Sequence, residues 1–199
     1  MAENKRLKQH SPGRPRSAAS ETAILNATVD LLEESGYEAL TIEAIAQRAG
    51  VGKSTIYRWW PNKASVVFDA FLTSTETSLY FLEHSTFRDN FRQQLQSLAT
   101  ILNSALGRTV VGLVAGSGED SEIAVAFHKE FLKSRREDAI RVIERAIVEA
   151  EIQYTTNMEI IADMFYGPIY YRLLIQKKVV DSTFIDTLLD QVMKSICRD

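Results

Sequence analysis

From about residue 20 onward, apolar side chains recur three and four positions apart, the period of one helix face. No run alternates with the two-residue period of a strand bounded by hairpin turns. The spacing predicts an all-α chain of about nine helices. The first is expected from Ser20 to Ser35, with Ile24, Leu25, Thr28, Leu31 and Leu32 inward and Gly36 as a left-handed stop. A short second helix starts at Thr41, whose hydroxyl suits a cap, and buries Ile42, Ile45, Ala46 and Ala49 before Gly50. A third covers Lys53 to Trp60 and ends at Pro61; a fourth opens at Asn62 or Lys63 and continues to about Glu83. Further on, the pattern predicts helices over Phe87–Leu106, around Arg108–Ala115 and from Ser121 to Gln153, with Gly116-Ser117-Gly118 as a break. Thr156-Asn157-Met158-Glu159 reads as a capping box for a helix reaching Lys178, and Asp181 or Ser182 caps the last one.

Composition narrows the class. With 45% hydrophobic and 25% charged residues the 199-residue chain is typical of a soluble globular protein, and no stretch approaches the roughly 18 apolar residues of a membrane span. The opening segment has no apolar core, so a secretory signal is not expected there. Cys197 is the one cysteine, which excludes an intramolecular disulfide and fits a reducing cytoplasm, with nucleoid association as the matching location. The net charge of −3 is unevenly spread. Among the first sixteen residues, five are Lys or Arg and one is acidic, a weak pointer to nucleic acid that a solvated tail would also give.

The functional signal is the block from Thr41 to Lys63, T-I-E-A-I-A-Q-R-A-G-V-G-K-S-T-I-Y-R-W-W-P-N-K. Two short helices around a glycine turn form the helix-turn-helix plan, which offers its second helix to the DNA major groove. Ala46 and Gly50 permit close contact, Val51 and Ile56 fix the crossing, and Lys53, Ser54, Thr55, Tyr57 and Arg58 are left outward. Lysine and arginine reach phosphates or guanine edges, and Ser and Thr hydroxyls bond to either, so these residue types suit double-stranded DNA. The arm element Gly13-Arg14-Pro15-Arg16 fits two readings equally: a minor-groove hook that delivers Arg14 and Arg16, or a basic tail.

From about Ala23 through Ala70 the sequence resembles the tetracycline-repressor (TetR) family of bacterial regulators, with a C-terminal half of the AcrR-like TetR type. The resemblance implies a capping and phosphate role for Thr41, the turn at Gly50-Val51, and a recognition surface of Lys53, Ser54, Thr55, Tyr57 and Trp59. It also implies a phosphate clamp at Lys63. Trp59 and Trp60 depart from the family's usual polar residue followed by an aromatic, which points Trp60 inward. The implied organisation is a basic arm over 1–19, a DNA-binding domain over 20–65 and a ligand-sensing and dimerisation domain over 66–199.

A homodimer interface is expected from Tyr166, Gly167, Tyr170 and Leu174 together with the stripe Ile185, Leu188, Leu189, Val192 and Ile196, which would otherwise be core. A pocket for a small hydrophobic or amphipathic ligand would draw on Phe68, Phe71, Phe91, Leu95, Leu102, Phe127, Phe131 and Phe165, with Asn103, His128 and Arg135 as polar anchors. The same aromatics could simply fill a core, leaving a ligand-independent or architectural DNA-binding regulator as the alternative to a repressor released from a palindromic operator. No nucleophile–base pair, metal-ligand spacing or phosphate loop stands out: His10, His84 and His128 are scattered, so no catalysis, cofactor, metal or membrane partner is expected.

Overall fold

The computed structural model describes residues 18–75, 79, 81, 82, 85–153 and 157–197; Arg14, Arg16, His10, His84 and Thr156 lie outside them. Among the described residues the regular structure is helical throughout, in the order α1 (Ala18–Ala39), α2 (Ile42–Ala49), α3 (Lys53–Tyr57), α4 (Lys63–Thr75), α5 (Phe87–Asn103), α6 (Ala105–Ala115), α7 (Glu122–Ala126), α8 (Lys133–Val148), α9 (Met158–Tyr170) and α10 (Ser182–Ile196). A π-helical stretch, Phe127–Leu132, joins α7 and α8 into one rod, so the expected nine helical units are present; a second, Tyr171–Ile175, extends α9. No single helix among the described residues is long and apolar enough to cross a membrane.

Caps follow local chemistry. Thr41, Thr86, Ser104, Ser121, Asn157 and Asp181 each stand in extended backbone and accept a hydrogen bond from an N–H in the first turn of the following helix. The capping residue before α9 is thus Asn157, one position later than a box opened by Thr156 would have it. The first helix is interrupted where expected, at Gly36, whose positive φ (φ 76°, ψ 173°) separates it from a last short turn reaching Ala39. The third ends early, at Tyr57, because Pro61 follows closely and the N–H groups of Trp59 and Trp60 both turn back to the Ile56 carbonyl.

One departure shapes the body of the molecule. The helix expected over Phe87–Leu106 ends at Asn103, and α6 leaves at 84° to α5. Ser104 makes this corner by accepting from the Gly107 N–H at 3.0 Å while donating to the Ile101 carbonyl at 2.7 Å. A Cβ at Gly107 would lie 2.8 Å from the Leu102 Cα, so only glycine lets the two helices close.

Packing is continuous from end to end. Ile24, Leu32, Ile45, Ile56, Val66 and Phe71 tie α1, α2, α3 and α4 together without exposed area beyond 2%. The helix α4 is buried on most of its circumference and packs on both α1 and α6, so it links the N-terminal helices to the rest. Two aromatic groups fill the larger body. Phe68, Phe71, Phe127 and Phe131 pack with ring centres 4.8–6.5 Å apart. Phe87, Phe91 and Phe165 pack at 4.3–6.0 Å.

Candidate nucleic-acid interface and cavity

The turn between α2 and α3 is set by Gly50, whose left-handed backbone (φ 66°, ψ 32°) lets the Val51 N–H return to the Ala46 carbonyl at 3.0 Å. Buried Ile45, Ala46 and Ile56 form the pivot under the turn. Outward from it stand Lys53, Ser54, Tyr57 and Arg58, with Thr55 half-buried at the edge. Tyr57 is 53% exposed, an open aromatic surface. The Lys53 ammonium donates to Glu43 at 2.9 Å across the turn, an interaction that lowers Glu43 and raises Lys53 from their ordinary pKa values. Both groups are charged at neutral pH, so a phosphate or base must compete with Glu43 for Lys53.

Of the other residues implied by the resemblance, Thr41 caps and Trp60 points inward as expected, and Lys63 does not face outward. Thr41 Oγ1 accepts from the Ala44 N–H at 3.1 Å and caps α2. Trp60 is buried, donating its indole N–H to Asp69 at 2.6 Å, and Trp59 rests edge-on against it, 5.4 Å between centres, half-buried beneath the Arg58 guanidinium. Lys63 turns inward: its ammonium donates to the carbonyls of Tyr37 (2.9 Å) and Leu40 (3.1 Å) and sits 4.2 Å over the Tyr37 ring. These contacts tie the start of α4 to the α1–α2 link, so the side chain expected as a phosphate clamp is engaged on backbone oxygens. Its attraction to carbonyls freed at a helix end explains the placement.

Between α5, the first π-helical stretch, α8 and α9 lies a cavity of about 380 Å³. Leu98, Phe131, Leu132 and the rings of Tyr166 and Tyr170 give it apolar walls; Gln94, His128, Lys133, Arg135, Arg136, Asp163 and Gly167 also line it. Arg136 is neutralised by Glu159 and by Asp163 at 2.7 Å. Arg135 is not paired with a carboxylate among the described residues. Its Nη1 donates to the Phe131 carbonyl at 2.9 Å, its Nη2 to Thr75 Oγ1 at 3.1 Å, and its guanidinium lies 4.2 Å over the Phe131 ring. Burial lowers Arg135 from the usual arginine value and raises Tyr166 and Tyr170 above the tyrosine range. Three polar atoms of residues that line this cavity, Gln94 Oε1, Arg135 Nε and Tyr166 Oη, are enclosed by the protein and have no hydrogen-bond partner. Each such group costs about 1–3 kcal/mol when left unmet.

Of the aromatics expected in a pocket, Phe131 lines this cavity, together with the expected anchors His128 and Arg135. Phe71, Phe91, Phe127 and Phe165 are packed in the core. Phe68 borders a groove between α4 and α7, and Leu102 borders a smaller recess near Leu173. Asn103 is occupied as a clamp, its amide donating to the Val180 carbonyl at 2.7 Å and accepting from the Val180 N–H at 3.1 Å. Gln94, Leu98, Lys133 and Tyr166 were not legible as lining residues, because their convergence depends on the angle between helices rather than on any spacing along one.

The expected interface needs correction on two counts. Ile185, Leu189, Val192 and Ile196 are at most 3% exposed within the single chain, covered by α5 and α9, so this stripe is core. Tyr166 and Tyr170 face the cavity rather than the surface. Leu174 and Leu188 are half-buried, and Gly167 is exposed. Among the described residues no three His, Cys, Asp or Glu side chains gather as metal ligands would.

A two-helix turn presenting lysine, hydroxyl, tyrosine and arginine side chains, joined by a buried helix to a helical body, defines a helix-turn-helix regulator of transcription. Comparison with known proteins specifies it. Residues 24–70 match the family described as bacterial regulatory proteins, tetR family, and residues 83–192 match the tetracyclin repressor-like C-terminal domain. The chain belongs to the TetR family of transcriptional regulators. It is 34% identical over 188 residues to the HTH-type transcriptional regulator YdeS of Bacillus subtilis (strain 168), covering 94% of this chain and 95% of that one. Among solved structures it is similar to the TetR family regulator SCO0332 (TM-score 0.72, 27% identity, 90% and 99% of the two chains). The fold also matches the regulator FadR of Bacillus subtilis, solved with stearoyl-CoA (TM-score 0.67, 19% identity, 88% and 98%).

Proposed function

We propose that this regulator is a cytoplasmic, non-catalytic homodimeric repressor that reads a palindromic operator and is released when a small molecule occupies the cavity between α5, α8 and α9. The observation that carries the ligand part is the cavity itself, walled by Leu98, Phe131 and Leu132 and bordered by Lys133 and Arg135, neither paired with a carboxylate among the described residues. A ligand-independent or architectural regulator would be expected to fill that space. The cavity, about 380 Å³, is at the small end of the roughly 300–1,000 Å³ usual for ligand sites, which favours a compact molecule over an acyl-CoA such as FadR holds.

In this reading residues 20–65 bind DNA and residues 66–199 sense and dimerise. Lys53, Ser54, Thr55, Tyr57 and Arg58 meet the major groove, Thr41 and Trp59 support that surface, and Arg14 and Arg16 reach the minor groove. The dimer contact moves from the buried stripe to the outer face of α9 and its π extension, where Ile160, Tyr171 and Ile175 are exposed (51%, 55% and 68%) in line with Gly167. A Cβ at Gly167 would meet nothing within 4 Å, so this face is open to close approach by a second copy. Two recognition helices would then enter successive major grooves about 34–36 Å apart. The route from cavity to DNA is short: Arg135 holds Thr75 at the end of α4, and Lys63 at its start holds the α1–α2 link.

Linkage supplies the test. An effector that releases DNA must bind the DNA-free arrangement better, and operator must weaken effector binding by the same factor. The uncharged dye N-phenylnaphthylamine, titrated with and without saturating operator, should bind more weakly in the presence of operator. Equal affinity in both conditions would contradict allosteric release. Two protomers per operator are expected by sedimentation equilibrium, and one would contradict the dimer.

A further inference from the structure

The charge arrangement around the cavity says what kind of molecule it takes. Asp163 is the carboxylate that lines it, and Arg136 already holds that group. Lys133 and Arg135 line the same space and make no ion pair among the described residues. The Arg135 guanidinium is fixed from two sides, by the Phe131 carbonyl and by Thr75, leaving Nε–H as a buried charged donor with no acceptor. Tyr166, a neutral phenol, lies near Arg135, with Asp138 within electrostatic reach of both, and its hydroxyl is a second buried donor without an acceptor. Gln94 Oε1, on the opposing helix α5 and 3% exposed as a residue, lacks a donor.

Resting on the reading of this cavity as the sensing site, we propose that its effector is a compact amphipathic carboxylic acid. The carboxylate lies against Arg135 and Tyr166, whose enclosed Nε–H and hydroxyl turn toward the cavity to donate to it, an N–H or O–H elsewhere on the molecule donates to Gln94 in the same way, and an apolar body lies along Leu98, Leu132 and Phe131. A cationic ligand would bring like charge onto Arg135 and Lys133. A purely apolar one would leave all three polar atoms unmet. Hydrogen bonds with both partners charged are about twice as strong as neutral ones, and a low-polarity wall strengthens them further, so the carboxylate is the discriminating group.

The full chain is loaded with N-phenylnaphthylamine, and the dye is displaced by phenylbutyrate, naphthoate, indole acetate and decanoate, each beside its primary amide, at constant ionic strength. At least one acid is expected to displace dye about tenfold more strongly than its amide. Arg135→Gln and Tyr166→Phe should each reduce that preference. The second variant removes a hydroxyl that holds nothing within the protein, so its folding is not at stake even if loss of the Arg135 contacts unfolds the first. Acids no better than their amides, or a preference intact in Tyr166→Phe and in folded Arg135→Gln, would overturn the acid assignment. If Leu98→Trp then abolishes dye uptake, the cavity reading itself stands. A native chain that takes up no dye, or whose dye uptake survives Leu98→Trp, would remove the cavity reading and the acid together.

Discussion

Lys53 and Lys63 carry the same charge into different surroundings, and their separation shows what one side chain's neighbours decide. Lys53 is exposed and, among the described residues, pairs with Glu43 across the turn, an exchangeable surface contact of small worth. Lys63 is bound to two carbonyls and an aromatic face. Lys53→Met should therefore leave the thermal midpoint nearly unchanged while lowering the salt dependence of DNA binding by about one counterion, read from affinity against salt concentration. Lys63→Met should destabilise the protein by about 1–3 kcal/mol in urea unfolding, the scale for hydrogen bonds donated by a charged group. The reverse pattern would return Lys63 to the phosphate-clamp role that the resemblance implied. The sequence made both residues visible as basic positions beside a recognition helix. It could not reveal that the Tyr37 and Leu40 carbonyls, more than twenty residues earlier, converge on the second one.

Helix existence was largely legible, because apolar positions three and four apart mark a buried face wherever the helix packs, and Ser, Thr, Asn and Asp at the starts supplied the caps. Junctions were less so. The pattern ran Phe87 to Leu106 as one helix, since Leu102 and Leu106 keep the period across a corner of 84°. It also ran Ser121 to Gln153 without a mark for the π-helical stretch Phe127–Leu132, which brings His128, Phe131 and Leu132 to the cavity. Such stretches are frequent at functional sites, and nothing in a hydrophobic period registers one extra residue per turn. The corner is testable through two glycines of α6. Gly107→Ala drives a Cβ against the backbone of α5 and should cost about 1–3 kcal/mol or prevent folding, whereas Gly112→Ala meets open space and should stabilise by about 0.5–1 kcal/mol. Equal effects of the two in chemical denaturation would contradict the corner.

Packing between distant elements also predicts a pH response. Arg92 on α5 donates to Asp186 on α10 at 2.7 Å and holds that carboxyl below its ordinary value of 3.8. A group whose pKa is lower folded than unfolded adds stability above its unfolded value and loses it as pH falls through the folded one. The urea midpoint of the native chain should exceed that of Asp186→Asn by a small, salt-sensitive margin at neutral pH. That margin should shrink once pH drops below about 3.8, and one that grows on acidification would contradict the pairing.

At the scale of the whole molecule, the DNA-binding end was the most legible part, because a helix-turn-helix compresses its turn glycine, pivot residues and outward polar side chains into the stretch Thr41 to Lys63. The proposed sensing end was the least legible, since a cavity arises where several helices fail to close and no segment encodes it alone. The expected dimer face shows the same limit: Ile185, Leu189, Val192 and Ile196 have the periodicity of any covered stripe, and the packed α5 and α9 reveal that the cover lies within the chain. The central claim, a dimeric regulator that reads a specific duplex sequence through Lys53, Ser54, Thr55, Tyr57 and Arg58, is tested most directly by selection. Purified protein is incubated with random duplexes at moderate salt, and the retained duplexes are sequenced. The account predicts enrichment of a palindrome whose half-sites lie about one or more helical turns apart, and loss of that enrichment in Tyr57→Ala. Recovery of no motif, or of a single unrepeated half-site unaffected by Tyr57→Ala, would contradict it.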